Sequence, residues 1–228
     1  MPNDLQDPFT DEGMELSLRT ITNEGRRVDA ASAYVHPLLQ DGKHPNLHVL
    51  CESKVNRVLF DQDKHAEGVE YTPNPEYQVI APGTTQRPRF TVKARKLVVL
   101  SCGALGTPLV LERSGVGDRK VLKNASVPVI ADVPGVGHDY QDHQLSFWPF
   151  KTSLRPDETL DALWGGRMTA EDAAAKKLLY WNGCGVHGKF RPTDEEVAAL
   201  GPALQQAWEQ DFKSKPNKPF MLLASINA

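Results

Sequence analysis

The longest aliphatic run of the chain is followed at once by small residues and then by a helical pattern. Residues 97–100 are apolar at every position, which is typical of a strand buried on both faces. Small residues occupy most of 101–106. Thr107 and Pro108 suit the N-cap and first turn of a helix, and Gly115 suits its C-terminal stop. The pattern therefore predicts a strand, a tight turn of small residues and a helix.

A β-meander is predicted before this unit, over residues 46–100. Apolar positions alternate within 46–60, and Val55 shares a face with Val58 and Phe60 only if the alternation breaks once between them. The rest of the meander is predicted as a polar turn at 61–65, a returning strand at 68–72, an exposed loop at 73–89 and a strand at 90–94.

Shorter patterns lie before and after the meander and the predicted strand–turn–helix segment. Asp29 is predicted to cap a short helix that Pro37 ends. Further along, the pattern predicts a short strand at 127–130 and an aromatic strand at 147–150. A helix capped by Thr169 and a glycine-rich turn at 181–188 are predicted next. The last predicted elements are a helix capped by Thr193 or Asp194, with an apolar stripe from Leu200 to Phe212, and an apolar strand after Lys218.

Composition excludes several classes of function. Among the 228 residues, 26 are Lys or Arg and 29 are Asp or Glu, so the net charge of −3 favours neither nucleic acid nor an anionic membrane as a partner. No apolar run approaches the roughly 20 residues that span a bilayer, and the polar N-terminus is unlike a signal peptide. The three cysteines are far apart, which argues against a disulfide framework and for a reducing compartment. Cys102 is interpreted as a small buried residue.

One segment carries residues that could bind a metal. Residues 134–143, PGVGHDYQDH, contain two histidines and two aspartates within six positions. Imidazole and carboxylate groups are ligands of divalent cations, so a metal-dependent hydrolase centred on this segment is one hypothesis. Neither an HExxH motif nor a CxxC pair supplies further ligands.

A second interpretation comes from the amino-acid sequence of the predicted strand–turn–helix segment. GALGTPLVLERSGVG, residues 103–117, resembles the second signature of the glucose–methanol–choline (GMC) flavin oxidoreductases. GRRVDAASAYVHP at 25–37 and PGVGHDYQDH at 134–143 also resemble segments of this family, in the same order. The resemblance extends over nearly all 228 residues and is strongest to the fungal alcohol (methanol) oxidase branch.

The resemblance implies a mixed α/β fold that belongs to a longer protein. Residues 1–143 would form part of a glutathione-reductase-like FAD-binding domain with its β-meander, and 144–228 the start of the substrate domain. The chain would be an internal piece, with the family's catalytic base beyond its C-terminus, so no catalytic residue is assigned. FAD is the implied cofactor. The implied contacts on its adenosine side are Val55, Ser101, Cys102, Gly103 and Ala104.

The reaction implied by the resemblance is FAD-dependent oxidation of a small primary alcohol to the aldehyde, with O2 as acceptor and H2O2 as product. The full-length enzyme would be a homo-oligomer, intracellular and peroxisomal, with no nucleic acid or membrane partner. We expect this piece alone to bind FAD poorly and to turn nothing over. The alternatives are a non-catalytic remnant and, less favoured by the residues, the metal-dependent hydrolase.

Overall fold

The computed structural model describes residues 5, 7, 9, 10, 12–74, 76, 77, 88–155, 158–180 and 183–226. The chain forms two compact units. One unit contains residues Met1–Leu47 and Pro149–Ala228, and the other contains His48–Trp148. We call them the split unit and the central unit. The division of function between 1–143 and 144–228 stays a prediction.

The central unit begins with the predicted meander, which the structure confirms. Three antiparallel strands follow each other in the order β2-β3-β4. Their bounds are β2, Ser53–Phe60; β3, Ala66–Pro73; and β4, Phe90–Lys93. The polar turn between β2 and β3 closes through a hydrogen bond from the Asp61 N–H to the His65 carbonyl, 3.0 Å long. Most of the predicted loop at 73–89 lies outside the described residues.

The predicted break in the alternation of β2 is a β-bulge. Val55 is paired with Tyr71, and Arg57 with Glu70, so Asn56 is the extra residue. Val58 is paired with Val69, and paired residues lie on the same face of a sheet. Since residues 69 and 71 of β3 share a face, Val55 and Val58 share it too, as the sequence predicts.

Helix α2, Gly103–Arg113, begins earlier than predicted. Its N-cap residue is Cys102 instead of Thr107, and Pro108 lies inside the helix. The Thr107 hydroxyl instead accepts a hydrogen bond from the Cys102 N–H, 3.0 Å away, which closes the turn before the helix. Pro108 is the sixth residue of the helix, so it removes the hydrogen bond that an N–H at this position would donate to the Ala104 carbonyl. Gly115 ends the helix as predicted, with φ at +86°.

Ser114 joins α2 to β2. Its buried hydroxyl accepts a hydrogen bond from the Val58 N–H at 2.8 Å and donates one to the Val110 carbonyl. A parallel pair of two-residue strands follows, β5 at Val116–Gly117 and β6 at Ala131–Asp132, with helix α3 at Arg119–Asn124 between them. The strand predicted at 127–130 is wrong in its bounds, since β6 begins at Ala131, after the N–H of Ile130 has bonded to the Gly115 carbonyl.

Two predicted strands do not form. Residues 97–100 have no regular structure, and Leu97 and Val99 are 74% and 73% exposed. A strand needs a neighbouring backbone, and none of the described segments pairs with this run. Cys102 is likewise exposed instead of buried. The aromatic residues at 147–150 are also exposed and irregular, for the same lack of a paired strand in the described ranges.

The split unit contains an antiparallel sheet in the order β1-β7-β8. The strands are β1, Gly13–Leu16; β7, Cys184–Phe190; and β8, Met221–Ile226. β8 confirms the predicted apolar strand. The glycine-rich turn predicted at 181–188 is wrong from residue 184 onward, whereas Trp181 and Asn182 lie outside the described residues. Gly188 is needed within β7 because a Cβ there would lie 2.7 Å from the Gly13 carbonyl oxygen of β1.

Side chains reinforce the pairing of β1 with β7. His187 Nδ1 lies 3.0 Å from the Ser17 hydroxyl, and His187 Nε2 lies 3.1 Å from the Glu15 carboxylate. Lys189 donates to the carbonyls of Asp7 and Thr10. The N-terminal segment is thereby tied to a strand about 170 residues away.

The helices of the split unit confirm three predicted caps. Asp29 accepts a hydrogen bond from the Ser32 N–H, Thr169 caps its helix, and Thr193 forms a capping box with Glu196. The helical segments are a π-helical turn at Ala31–Val35, α1 at His36–Gln40, α4 at Asp161–Trp164, α5 at Ala170–Ala175, a 3₁₀ turn at Leu178–Tyr180, α6 at Asp194–Ala199 and α7 at Pro202–Asp211.

Two details of these helices differ from prediction. Pro37 does not end the first helix, because the chain widens into the π-helical turn, where the His36 N–H bonds to the Ala31 carbonyl, and then continues to Gln40. The apolar stripe from Leu200 is interrupted, since Gly201 at φ +102° separates α6 from α7 and leaves Leu200 exposed.

Small apolar clusters form the core of the split unit. One contains Leu160, Ala173 and Leu178. In another, Trp208 stacks on Phe212 at 6.0 Å between ring centroids and donates its indole N–H to Asp194. None of the helices in the described ranges is both long and apolar enough to cross a bilayer. The fold is thus mixed α/β, as predicted.

Candidate functional site

The N-terminus of α2 is open. Ser101, Cys102, Gly103 and Ala104 are all exposed, and none of the described side chains caps the helix. Gly103 has φ at +81°, and within the described ranges no neighbouring atom lies within 4 Å of the position a Cβ would take. The first N–H groups of a helix have no partner within it and carry its positive dipole end. This turn can therefore donate backbone hydrogen bonds to a polar or anionic group.

A glycine at position 106 helps to close this turn. A Cβ on Gly106 would lie 3.0 Å from the Cβ of Cys102, which is tighter than ordinary contact. The hydrogen bond from the Cys102 N–H to Thr107 fixes the same turn from the other side. The glycine at position 106 is thus explained by its close approach to Cys102, whereas the space around Gly103 is clear.

Val55 lies on β2, half-buried, on the face that also carries Tyr71. Tyr71 stacks on Phe90 of β4 with ring centroids 5.5 Å apart. The elements that carry the predicted residues, β2 and α2, are joined by Ser114 at the C-terminal end of α2. The predicted residues therefore lie on two packed elements of one unit, whereas the described hydrogen bonds do not join Val55 directly to the turn at 101–104.

Two groups near Val55 escaped the sequence reasoning. Buried Glu70 accepts hydrogen bonds from Asn56, Arg57 and Arg89 beside the β-bulge, and Ser114 links the strand to the helix. The break in the alternation of β2 was the single signal in the sequence that pointed to this bulge. Glu70 lies at an inward position of β3, which the alternation of Val69 and Tyr71 in the sequence did not indicate.

The segment proposed as a metal site has a different organisation. The Asp142 carboxylate accepts hydrogen bonds from the Tyr140 hydroxyl at 3.0 Å and from the His143 N–H at 2.7 Å. The His143 N–H, and secondarily the Tyr140 hydroxyl, hold the pKa of Asp142 below its usual value. Across the described residues, no three His, Cys, Asp or Glu side chains are grouped so that they could bind a metal ion. The hydrolase hypothesis therefore lacks a ligand set here.

Comparison with known proteins defines the class. The family model of the GMC oxidoreductases matches residues 1–145, so the chain belongs to the GMC oxidoreductase family. The cofactor of this family is FAD. The resemblance to the GMC family noted in the sequence is thereby confirmed.

Individual enzymes of similar sequence include two alcohol oxidases and a choline dehydrogenase. The chain is 36% identical to alcohol oxidase of Candida boidinii over 99% of this chain and 34% of that protein. It is 35% identical to alcohol oxidase 2 of Komagataella phaffii over 96% of this chain and 33% of the relative. An oxygen-dependent choline dehydrogenase of Pseudomonas putida is 38% identical over 59% of this chain and 21% of its own length. The chain thus spans about a third of the length of the alcohol oxidases it matches.

A solved structure supports the fold. An FAD-dependent oxidoreductase from Chaetomium thermophilum superposes with a TM-score of 0.65, covering 95% of this chain and 41% of that protein, at 23% identity. At this identity the likeness concerns the fold alone. It agrees with the mixed α/β architecture.

Proposed function

We propose that this chain supplies part of the FAD-binding domain of an enzyme that oxidises a small primary alcohol to the aldehyde, with O2 as electron acceptor and H2O2 as product. The proposal is supported by the family match and by the two alcohol oxidases of similar sequence. The observation that carries it in the structure is the open, uncapped N-terminus of α2 at the position of the family signature.

The residues present fit the adenosine side of FAD. The backbone N–H groups of Gly103 and Ala104 can donate to its polar groups, because Gly103 keeps the approach clear. The peptide group of Val55 can pair with the adenine edge whatever its side chain, and the valine side chain can pack on the ring. The flavin, when bound, supplies the redox chemistry of the reaction.

The chain's own part in the reaction is to bind and orient. In the proposal, Val55 and the turn at 101–104 fix the adenosine end of the cofactor, and no histidine of this chain is assigned as the catalytic base. The full-length enzyme is proposed to be a peroxisomal homo-oligomer. The peroxisomal location and the oligomeric state are proposed only from the similarity to fungal alcohol oxidases.

Nuclear magnetic resonance on the 228-residue chain tests the proposed binding role. We expect millimolar AMP, the adenosine half of FAD, to shift the backbone amide signals of Val55, Gly103 and Ala104. Gly103→Ala should weaken this response, because a side chain at φ +81° is strained and stands in the open approach. Gly135→Ala is the matched control, since Gly135 also has open space around its Cβ position and no positive φ.

The same sample distinguishes the alternatives. FAD added at micromolar concentration should bind weakly, and methanol should not be turned over. No AMP response at Val55 or the turn would contradict the proposed role and favour a non-catalytic remnant. A stoichiometric divalent metal, measured on the purified chain, would instead restore the hydrolase hypothesis for residues 138–143.

A further inference from the structure

Glu70 is a buried carboxylate next to the strand that carries Val55. It is 9% exposed and lies on the inward face of β3 with Gly68 and Thr72. Its Oε2 lies 3.2 Å from Arg57, and its Oε1 lies 3.4 Å from Arg89. A charge in this position is costly unless it is paired and hydrogen-bonded, so these contacts determine which arrangement of the strands is stable.

The extra residue of the bulge completes the set of donors. Asn56 donates its side-chain amide to Glu70 Oε1 at 3.4 Å, and its side-chain oxygen lies 3.5 Å from the Thr72 hydroxyl. Asn56 and Arg57 are consecutive residues, and both contact Glu70. Consecutive residues of a regular strand point to opposite faces, so this double contact exists only because the bulge sets two residues against one.

The alternative to the bulge is a regular ladder with a different register. With Arg57 still opposite Glu70, Asn56 would then pair with Tyr71, and Val55 with Thr72. A slip of one residue moves a side chain to the other face of the sheet. Val55 would leave the face of Tyr71, and the amide of Asn56 would leave Glu70. The carboxylate therefore favours the bulged register over the regular one.

We propose that Glu70 is a positioning residue, which holds the bulge at Asn56 and thereby presents Val55 on the face of Tyr71. The inference rests on the proposed function, in which the Val55 peptide meets the adenine of FAD. The proposal states which register β2 and β3 adopt, and this register can be measured without any ligand.

Four variants of the 228-residue chain test the proposal. Glu70→Val removes the acceptor and keeps a strand-forming residue. Glu67→Val is the matched control, because Glu67 lies on the same strand but its side chain is 45% exposed, with Lys93 at 4.0 Å. Deletion of Asn56 removes the extra residue, so that the regular ladder itself places Val55 opposite Tyr71. The fourth variant combines this deletion with Glu70→Val.

The first measurement is the set of cross-strand nuclear Overhauser contacts of Val55. We expect contacts with Tyr71 in the wild type, in Glu67→Val, in the deletion variant and in the combined variant, and contacts with Thr72 in Glu70→Val. If Glu70→Val does not fold, the combined variant should fold and show the Tyr71 contact. Retention of the Tyr71 contact in folded Glu70→Val overturns the proposal. Absence of this contact in the combined variant overturns it as well.

The second measurement is titration with AMP, read at the Val55 amide. Glu70→Val should weaken the response about tenfold, as expected for the loss of a hydrogen bond or two, and the combined variant should recover it. A merely destabilising substitution would not be rescued by removing Asn56. If the contacts behave as expected but AMP shifts no amide in any variant, the register role stands and the proposed function fails.

Discussion

Replacing Ser114 with alanine removes the one hydroxyl described as joining β2 to α2. The hydroxyl oxygen accepts a hydrogen bond from the Val58 N–H at 2.8 Å. Ser114 and Val58 are 7% and 5% exposed, so water cannot replace the lost acceptor. The Val58 N–H would therefore be left buried without a partner. We expect the central unit to be the part of the protein that loses stability.

The magnitude follows from the groups that lose their partners. A buried donor left unsatisfied costs about 1–3 kcal/mol. The Val110 carbonyl also loses the hydrogen bond that the hydroxyl donates to it. This loss adds little to the cost in stability, because the carbonyl still accepts a hydrogen bond from the Ser114 N–H at 3.1 Å. The expected loss is therefore about 2 kcal/mol, or roughly a 30-fold shift in the unfolding equilibrium.

Urea unfolding combined with hydrogen exchange measures this loss where it should occur. Amides of β2 and of the last turn of α2 should exchange faster in Ser114→Ala. Ser146→Ala is the control, because Ser146 lies in an exposed, irregular segment of the same unit, and its substitution should cost no more than about 0.5 kcal/mol. A loss below about 0.5 kcal/mol in Ser114→Ala would refute the assigned role of the hydroxyl.

Three further changes test the split unit. Thr193→Ala should cost about 1 kcal/mol in urea unfolding, because it removes a helix cap. Gly188→Ala should speed exchange of the β1 amides, since its Cβ would lie 2.7 Å from the Gly13 carbonyl oxygen. The Trp208 indole N–H holds the pKa of Asp194 below its usual value in the folded state. This contribution to stability is present above the unfolded-state pKa and is lost as the pH falls below about 4, so Asp194→Asn should flatten the acid limb of a tryptophan-fluorescence stability profile.

Each of these expectations has a clear contrary result. Equal stability of Thr193→Ala and the wild type would mean that the cap contributes nothing measurable. Unchanged exchange in β1 of Gly188→Ala would show that the two strands can separate enough to admit a methyl group. An acid limb that keeps its slope in Asp194→Asn would assign the loss of stability at low pH to other carboxylates.

Local patterns predicted those parts of the fold that local physics determines. The meander, the helix caps at Asp29, Thr169 and Thr193, and the stop at Gly115 all depend on residues close in sequence. The break of phase in β2 was also visible, because only a bulge puts Val55 and Val58 on one face.

Features that depend on distant backbone could not be predicted in this way. The run at 97–100 has strand composition, yet a strand forms only when another backbone lies beside it. β7 has turn composition, yet Gly188 is there because β1 passes close to it. The same limit applies to the site. The signature at 103–117 indicated the turn, whereas the contacts of Glu70 with Asn56 and Arg57 required the register of two strands.

The order of strands in the β1-β7-β8 sheet has a consequence for biosynthesis. β1 is translated about 170 residues before its partner β7. At about 5–20 residues per second, β1 waits roughly 10–30 s for this partner. The central unit consists of consecutive residues 48–148 and can fold during that interval. The nascent chain therefore carries β1 without its described partner β7 during the time in which residues 48–148 can fold, and this interval is when a holdase chaperone would protect that strand.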